Sequence, residues 1–251
     1  MDIHCHCLPA IDDGPTTMGE AIVLCRHLAA DGITAVIATP HQLGRYGDRN
    51  SAAKVRAAAG DLNDALVAAG VPLRVLPGGE VRIDERIPEL LAADEVVTLA
   101  DRGRHLLLEL PNEALINPVG LARRLALMGT AVIVAHPERC APLRADPDRA
   151  LAWLDEGIGL QLSAASLVGD AGSSAREICL YWLGEGAASV VATDAHGGLP
   201  GRPGLSAAFS AVSRHLGLTV ARQAFLENPQ RVLRGEEIAP PPMAAHAGIR
   251  A

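Results

Sequence analysis

The sequence predicts an α/β barrel, built from repeated strand-helix units, with its chemistry on the rim formed by the C-terminal ends of the strands. Three observations lead there. Short apolar runs alternate along the 251 residues with longer amphipathic stretches, which is the pattern of repeated βα units. The chain is 49% hydrophobic but has only two Trp, two Tyr and two Phe, so its core is aliphatic, as buried parallel strands require. Histidines and acids fall at the ends of the apolar runs rather than within them.

Strands are expected at 2–6, 33–39, 73–77, 105–109, 131–135, 159–162 and 189–193. Helices are expected at 17–31, 51–69, 118–128, 148–156, 175–184 and 205–216. Residues 1–234 read as one domain, long enough to bury a sizeable core. From Gly235 onward the chain ends APPPMAAHAGIRA without periodicity, and a disordered tail is expected there. A net charge of −7 and the lack of basic patches argue against a nucleic-acid partner. The five cysteines (Cys5, Cys7, Cys25, Cys140 and Cys179) are scattered and odd in number, and no basic segment precedes an apolar run. Free thiols in a reducing cytoplasm are expected. Every apolar run is too short to span a bilayer.

The opening, MDIHCHCLPAIDDG, carries the sharpest signal. Residues two apart on a strand point to one side, so His4 and His6 face a common space while Cys5 and Cys7 face away. His41, Glu80, Glu109, His136, and Asp194 with His196 likewise sit at or just after strand ends. In a βα barrel these positions share one mouth. Imidazoles mixed with carboxylates suit Zn, Mn or Fe better than Mg or Ca. Five histidines and at least four acids exceed what one ion uses, which points to two or three ions sharing a bridging carboxylate. Such a site suits phosphate-ester hydrolysis.

Each residue also has a plainer reading. An isolated strand histidine is usually structural, and His27, His105, His215 and His246 are assigned that way. Asp-Gly after Pro9 makes a turn; both readings hold if Asp13 ligates while Asp12 shapes the loop. Glu138 reads as a salt-bridging rim residue. Gly78-Gly79 reads as tight backbone leading into Glu80. No cysteine is followed six residues later by Arg, so a cysteine-nucleophile phosphatase loop is absent.

The ordered motifs DIHCHxLPxIDDG, ATPH, GGE, LLLE, AHPER, TDAH, GRP and ENPQRVL resemble the PHP (polymerase and histidinol phosphatase) superfamily. More narrowly they resemble its bacterial metal-dependent protein tyrosine phosphatases of capsule and exopolysaccharide operons. The likeness implies a distorted (β/α)7 TIM-like barrel holding up to three divalent ions, Mn favoured over Fe or Zn. It implies one ion on His4, His6, Glu80 and Asp194, a second on Glu80, Glu109 and His136, and a third on Asp13, His41 and His196. Arg139 and Arg202 match positions that contact the phosphate, for which a guanidinium fork is suited. The implied reaction is in-line hydrolysis of phosphotyrosine in a protein, with a tyrosine autokinase of polysaccharide export as partner. The polar loop 42–50 (QLGRYGDRN) follows a ligand and is placed to form part of the substrate rim.

Three rival functions remain open on the residues alone. A small phosphoester such as histidinol phosphate would need the same ligand set. A metal-dependent amidohydrolase is disfavoured in its lysine-bridged form, because the single lysine, Lys54, lies within an expected helix, but a mononuclear member is not. A non-enzymatic domain would usually have lost ligands, and none of the matched positions has.

Overall fold

The structure is a computed structural model, and it describes residues 1–46, 49–197 and 204–239. All strand pairs are parallel, and they form two sheets. One holds β1 (Asp2–Cys5), β2 (Ala35–Ala38) and β4 (Arg74–Pro77) in the order β1-β2-β4. The other runs β3-β5-β6-β7-β8-β9, with β3 His41–Gln42, β5 Glu80–Arg82, β6 His105–Glu109, β7 Ala131–Ala135, β8 Gly159–Ser163 and β9 Ala188–Ala192.

The two sheets are halves of one interrupted structure. Thr39-Pro40 separates β2 from β3, and Gly78-Gly79 separates β4 from β5, and each pair of halves stays side by side (Ala38 beside Pro77, His41 beside Glu80). Counted as single interrupted strands, these give seven strands in sequence order. Past the end of β9 the chain returns to β1: Asp194 N–H donates to the His4 carbonyl and His6 N–H to that of Ala195, both at 2.9 Å. The arrangement is the distorted seven-stranded α/β barrel that the family resemblance implies.

The interruptions have clear physical causes. Pro40 has no N–H to give to a ladder. Gly78 and Gly79 lie where neighbours leave no room for a side chain, since a Cβ would come within 2.6 Å of Ile37 Cγ2 at Gly78 and 2.2 Å of Gln42 Oε1 at Gly79. These glycines allow backbone and side chains to close on one another. The Gln42 side chain then ties the kink, accepting from Val97 N–H and donating to the Asn50 carbonyl, both at 2.8 Å.

Strand alternation divides the core into two layers. Leu107 on β6, Ile133 and Ala135 on β7, and Val190 and Ala192 on β9 join Ile3, Ile37 and Leu76 in an inner cluster. Their sequence neighbours Leu106, Leu108, Val132, Val134 and Val191 pack outward in the larger cluster shared with the helices. Cys5 and Cys7 are in that outer cluster, as strand alternation requires, and all five cysteines are free and buried. Helix starts follow capping chemistry. The Thr17 hydroxyl accepts from Glu20 N–H to open Met18–Ala30, and Ser51 accepts from Lys54 N–H to open Ala52–Ala68.

Several features depart from the sequence expectation. The expected helix 148–156 is two short pieces, Asp148–Leu151 and a 3₁₀ turn Leu154–Glu156. Helical turns over 218–234 were not anticipated. They comprise Leu218–Arg222, a π-turn Gln223–Glu227, and Asn228–Arg234, where Pro229 falls in the first turn and its missing N–H is harmless. The packed chain also continues past Arg234. Asn228 Nδ2 donates to the Ala239 carbonyl at 2.7 Å, and Ile238 packs on the inner cluster. The expected tail therefore starts no earlier than residue 240, and 240–251, with His246, lie outside the described residues. Among the described residues no helix is long and apolar enough to cross a membrane.

His105 opens β6 buried, with its Nδ1 lacking any hydrogen-bond partner. Burial, helped by the Arg104 charge, pushes it down to about 4. The unfolded chain takes up this proton below the ordinary value near 6.5, so the neutral ring costs nothing above that pH and destabilises the fold as pH falls towards about 4. The His105→Gln variant should lose about 2 kcal/mol less stability than the parent between pH 7.5 and 5. Urea unfolding at the two pH values measures this, and equal losses would contradict it.

Candidate metal centre

The sheet register brings the site together. β3 pairs with β5 so that His41 lies beside Glu80, and β5 continues onto β6, whose last residue is Glu109. His4 and His6 come from β1 and the residue following it, and their Nε2 atoms lie 3.2 Å apart. His136 follows β7 and Asp194 follows β9, with φ values of 30° and 53°. Non-glycine residues rarely adopt this left-handed region, and such strain collects at functional sites.

Glu80 is central. Its Oε2 lies 3.5 Å from His4 Nε2, 3.4 Å from His6 Nε2 and 2.9 Å from His41 Nδ1, and its Oε1 lies 2.8 Å from His136 Nε2. Asp194 Oδ1 sits 3.2 and 3.3 Å from the same His4 and His6 nitrogens, and Oδ2 sits 2.6 Å from Arg139 Nη2. Asp13 Oδ1 faces His41 and His196 at 3.5 and 3.3 Å. The His196 ring stacks on His6, with centroids 3.8 Å apart.

Four groups have ligand atoms within 4.8 Å of one another: His6, Asp13, His41 and His196; His4, His136 and Asp194; His4, His6 and Glu80; and His41, Glu80 and Glu109. Together they contain all nine expected ligand residues. The grouping differs from the expected allotment: Glu109 clusters with His41 and Glu80 rather than with His136, His136 joins His4 and Asp194, and His6 also joins Asp13, His41 and His196. His4, His6, His41 and Glu80 each belong to two groups, so the donors are arranged for more than one ion.

Glu80 Oε2 and Asp194 Oδ1 are buried carboxylate oxygens with no hydrogen-bond partner. Left bare, such atoms carry a large desolvation cost. A divalent cation removes that cost, and oxygen and imidazole donors suit one. The residues present therefore fit bound metal.

The outer ring nitrogens of the paired histidines are fixed by different partners. Asp12 Oδ2 accepts from His6 Nδ1 at 2.7 Å and from His41 N–H at 3.1 Å, while Oδ1 accepts from Gly14 N–H at 3.0 Å. Asp12 is thus turned inward to orient a ring, and half-exposed Asp13 offers the free donor atom. Gln161 Nε2 donates to the Leu162 carbonyl, which leaves Oε1 to accept from His4 Nδ1 at 2.7 Å. Both bonds put the proton on Nδ1 and turn Nε2 into the cluster. Sequence reasoning missed Gln161, although a lone polar side chain within the buried strand GLQLS was an available signal.

One further residue differs from expectation, and another has a role the sequence did not suggest. Glu138 is no salt-bridged rim residue: it is buried, and its Oε1 accepts from Ser163 N–H and the Ser166 hydroxyl. Asp2 is buried and latches β1 to the segment after β9 by accepting from Thr193 N–H and its hydroxyl. Arg139 stands beside Asp194 at the cluster; Arg202 lies outside the described residues.

Opposed charges within the cluster shift its buried groups in opposite directions. Burial pushes Glu80 up, but His4 and His136 outweigh it and hold the carboxyl well below the usual range. Asp194 is held down in the same way by His4, His6, His136 and Arg139. Burial pulls His4, His6 and His41 down, yet the neighbouring carboxylates win and raise all three, His6 most clearly. His196 is lowered by burial and by the His6 charge.

The model of the family "Capsular polysaccharide synthesis, CpsB/CapC" matches residues 1–234. The tyrosine-protein phosphatase YwqE of Bacillus subtilis is 35% identical over 198 residues, 78% of this chain and 77% of that protein. The tyrosine-protein phosphatase CpsB of Streptococcus agalactiae is 26% identical over 249 residues, 95% of this chain and all of that one. A crystal structure from the pair YwqE of B. subtilis and CpsB of Streptococcus pneumoniae, described as unique metal-dependent tyrosine phosphatases, superposes with a TM-score of 0.89 at 32% identity. That match covers 98% of this chain and 99% of the other.

A bound cation needs neutral imidazoles, and the raised values of His4, His6 and His41 mean that protons must leave them. Loading Mn²⁺ at pH 7 should release protons, and affinity should rise with pH through a range above the ordinary imidazole value. Titration calorimetry in two buffers of different ionisation enthalpy measures the release. Equal heats in both would contradict the raised values of these imidazoles.

Proposed function

The chain belongs to the CpsB/CapC capsular polysaccharide synthesis family, and from that footing we propose that it is a metal-dependent protein tyrosine phosphatase. The observation that carries the reading is the Glu80 carboxylate. Four imidazoles surround it, and its buried inner oxygen lies within 3.5 Å of three of them without a well-directed hydrogen bond to any. That environment suits a bridging ligand between cations, and sharing of ions is the arrangement used for displacement at phosphorus.

The metal ligands in this reading are His4, His6, Asp13, His41, Glu80, Glu109, His136, Asp194 and His196, for two to three divalent ions, Mn²⁺ favoured. Bound cations supply Lewis acidity, which eases ionisation of water and offsets charge on phosphoryl oxygens. The protein's own side chains do the rest. Asp12 and Gln161 keep the His6 and His4 rings in the orientation and tautomer that ligation needs. The Glu80 and Asp194 carboxyls, held below the usual range by the surrounding positive charge, are kept ionised as ligands.

Arg139 and Arg202 are assigned to the phosphate. Arg139 is already turned to the cluster by its contact with Asp194, and a guanidinium has enough donors to serve a carboxylate and a phosphoryl oxygen together. Tyrosinate, with a reference pKa of about 10, leaves without strong demand for a general acid. Residues 1–234 form the catalytic domain in this reading. The substrate is a phosphotyrosine protein in the cytoplasm, a tyrosine autokinase of polysaccharide export being the expected partner.

Glu80→Gln keeps the shape of the side chain and removes its charge. It should lower metal-dependent turnover of a phosphotyrosine peptide on the order of a hundredfold or more, with metal per chain reduced and the circular dichroism spectrum unchanged. His136→Ala and Asp194→Ala should behave alike. Undiminished turnover in any of the three would remove the proposal. Faster turnover of histidinol phosphate than of the peptide by the parent protein would redirect it to a small phosphoester.

A further inference from the structure

Two cavities formed by described residues border the metal cluster, and their walls differ in charge. One, of about 550 Å³, lies beyond His196 among Gly14, Pro15, Thr17, Glu20 and Val23. Among its described wall residues the fixed charge is a carboxylate, that of Glu20. The other, of about 370 Å³, shares Asp13, His41 and Glu109 with the cluster and is walled by Leu43, Arg45, Tyr46 and Arg82. The first offers an anionic substrate no guanidinium among its described wall residues, whereas the second sets two guanidiniums beside the Asp13 and Glu109 carboxylates.

The second cavity also has an aromatic wall at a fixed angle. The Tyr46 ring lies nearly parallel to the His41 imidazole, with centroids 5.4 Å apart and planes 7° apart, so its orientation is tied to a cluster residue. Leu43 has φ 65°, a conformation a branched side chain rarely takes, and the turn is closed by Tyr46 N–H donating to the Leu43 carbonyl. The backbone is strained where it presents Leu43 and Tyr46 to the cavity.

The two arginines are not equivalent. Arg82 donates to Glu109 at 2.9 Å and to the Leu110 carbonyl, so its charge is already met. Arg45 is exposed, rests its guanidinium 5.5 Å from the centre of the Tyr46 ring, and has no ion pair among the described residues. It is an unmatched cation at the mouth, in a chain whose net charge is −7. A flat apolar wall with a positive lip, directly beside cluster donors, fits an aryl phosphate carried on an acidic segment. A short alkyl phosphate would leave Leu43 and Tyr46 without a partner.

Building on the phosphatase reading, we propose that this cavity is the leaving-group subsite: Leu43 and Tyr46 hold the ring of the phosphorylated tyrosine, and Arg45 selects an acidic residue beside it. Aromatic contact and apolar burial make the ring contribution the larger one. The Arg45 contribution is that of a surface ion pair, modest and sensitive to salt.

The test uses the full chain loaded with Mn²⁺, two phosphotyrosine peptides that differ only in flanking Glu or Lys, and inorganic phosphate as competitive inhibitor. Tyr46→Ala should raise KM for both peptides about five- to twentyfold while leaving the phosphate inhibition constant unchanged. Arg45→Ala should reduce the Glu-over-Lys preference about two- to fivefold, and added salt should do the same to the parent. Weakened phosphate inhibition in step with KM would show that Tyr46 acts through His41 and the metals, which overturns the subsite. So would an unchanged peptide preference in Arg45→Ala, or a rise in KM on Val23→Glu that matches the Tyr46→Ala rise. If the parent hydrolyses neither peptide with metal present, the phosphatase reading itself fails, and this is visible before any variant is compared.

Discussion

The structure turns on one buried carboxylate. Glu80 sits at the start of a strand resumed after two glycines, with imidazoles from three other strand ends within 3.5 Å of it. A lone ionised carboxylate so deeply buried would be expensive. Here the surrounding positive charge more than offsets that cost and keeps it ionised. The same imidazoles that offset its charge become, on loss of their protons, a ready set of ligands.

The interrupted strands are what make this possible. In a regular parallel ladder His41 and Glu80 would belong to the ends of β2 and β4. Instead Pro40 and the Gly78-Gly79 pair break both strands at the same level, and the displaced halves, β3 and β5, stay paired with each other while β5 bonds to β6. His41 and Glu80 come into register as neighbours at that step. On the other side, Asp2 ties β1 to Thr193, which brings His4 and His6 against Asp194. The barrel's irregularity and its chemistry thus share a cause.

Around the ligands lies a set of residues whose work is orientation. Asp12 and Gln161 fix the tautomers of two adjacent histidines, one through a carboxylate and the other through an amide. Glu138 holds the end of β8 by accepting from Ser163 N–H and the Ser166 hydroxyl, close to Arg139. None of these faces the centre of the cluster, yet the His4 and His6 rings that do are oriented by such contacts.

Much of this could be read along the chain. Period-two alternation and aliphatic runs set the strands, because a strand buried on both faces admits little else, and polar residues at the ends of those runs marked a common mouth. His4 and His6 were legible as a pair from their spacing alone. What sequence could not fix was anything set by contacts between distant segments. The choice between Asp12 and Asp13 depends on which way a loop closes over His6. The role of Gln161 depends on its meeting His4, 157 positions away. Glu138, beside Arg139 in sequence, pairs instead with Ser163 and Ser166 because burial leaves it those donors. Grouping Glu109 with His41 required the β3-β5-β6 register. Local chemistry names the donors; only closure of the barrel decides which of them share an ion, because that is a matter of distances across the mouth that no spacing along the chain encodes.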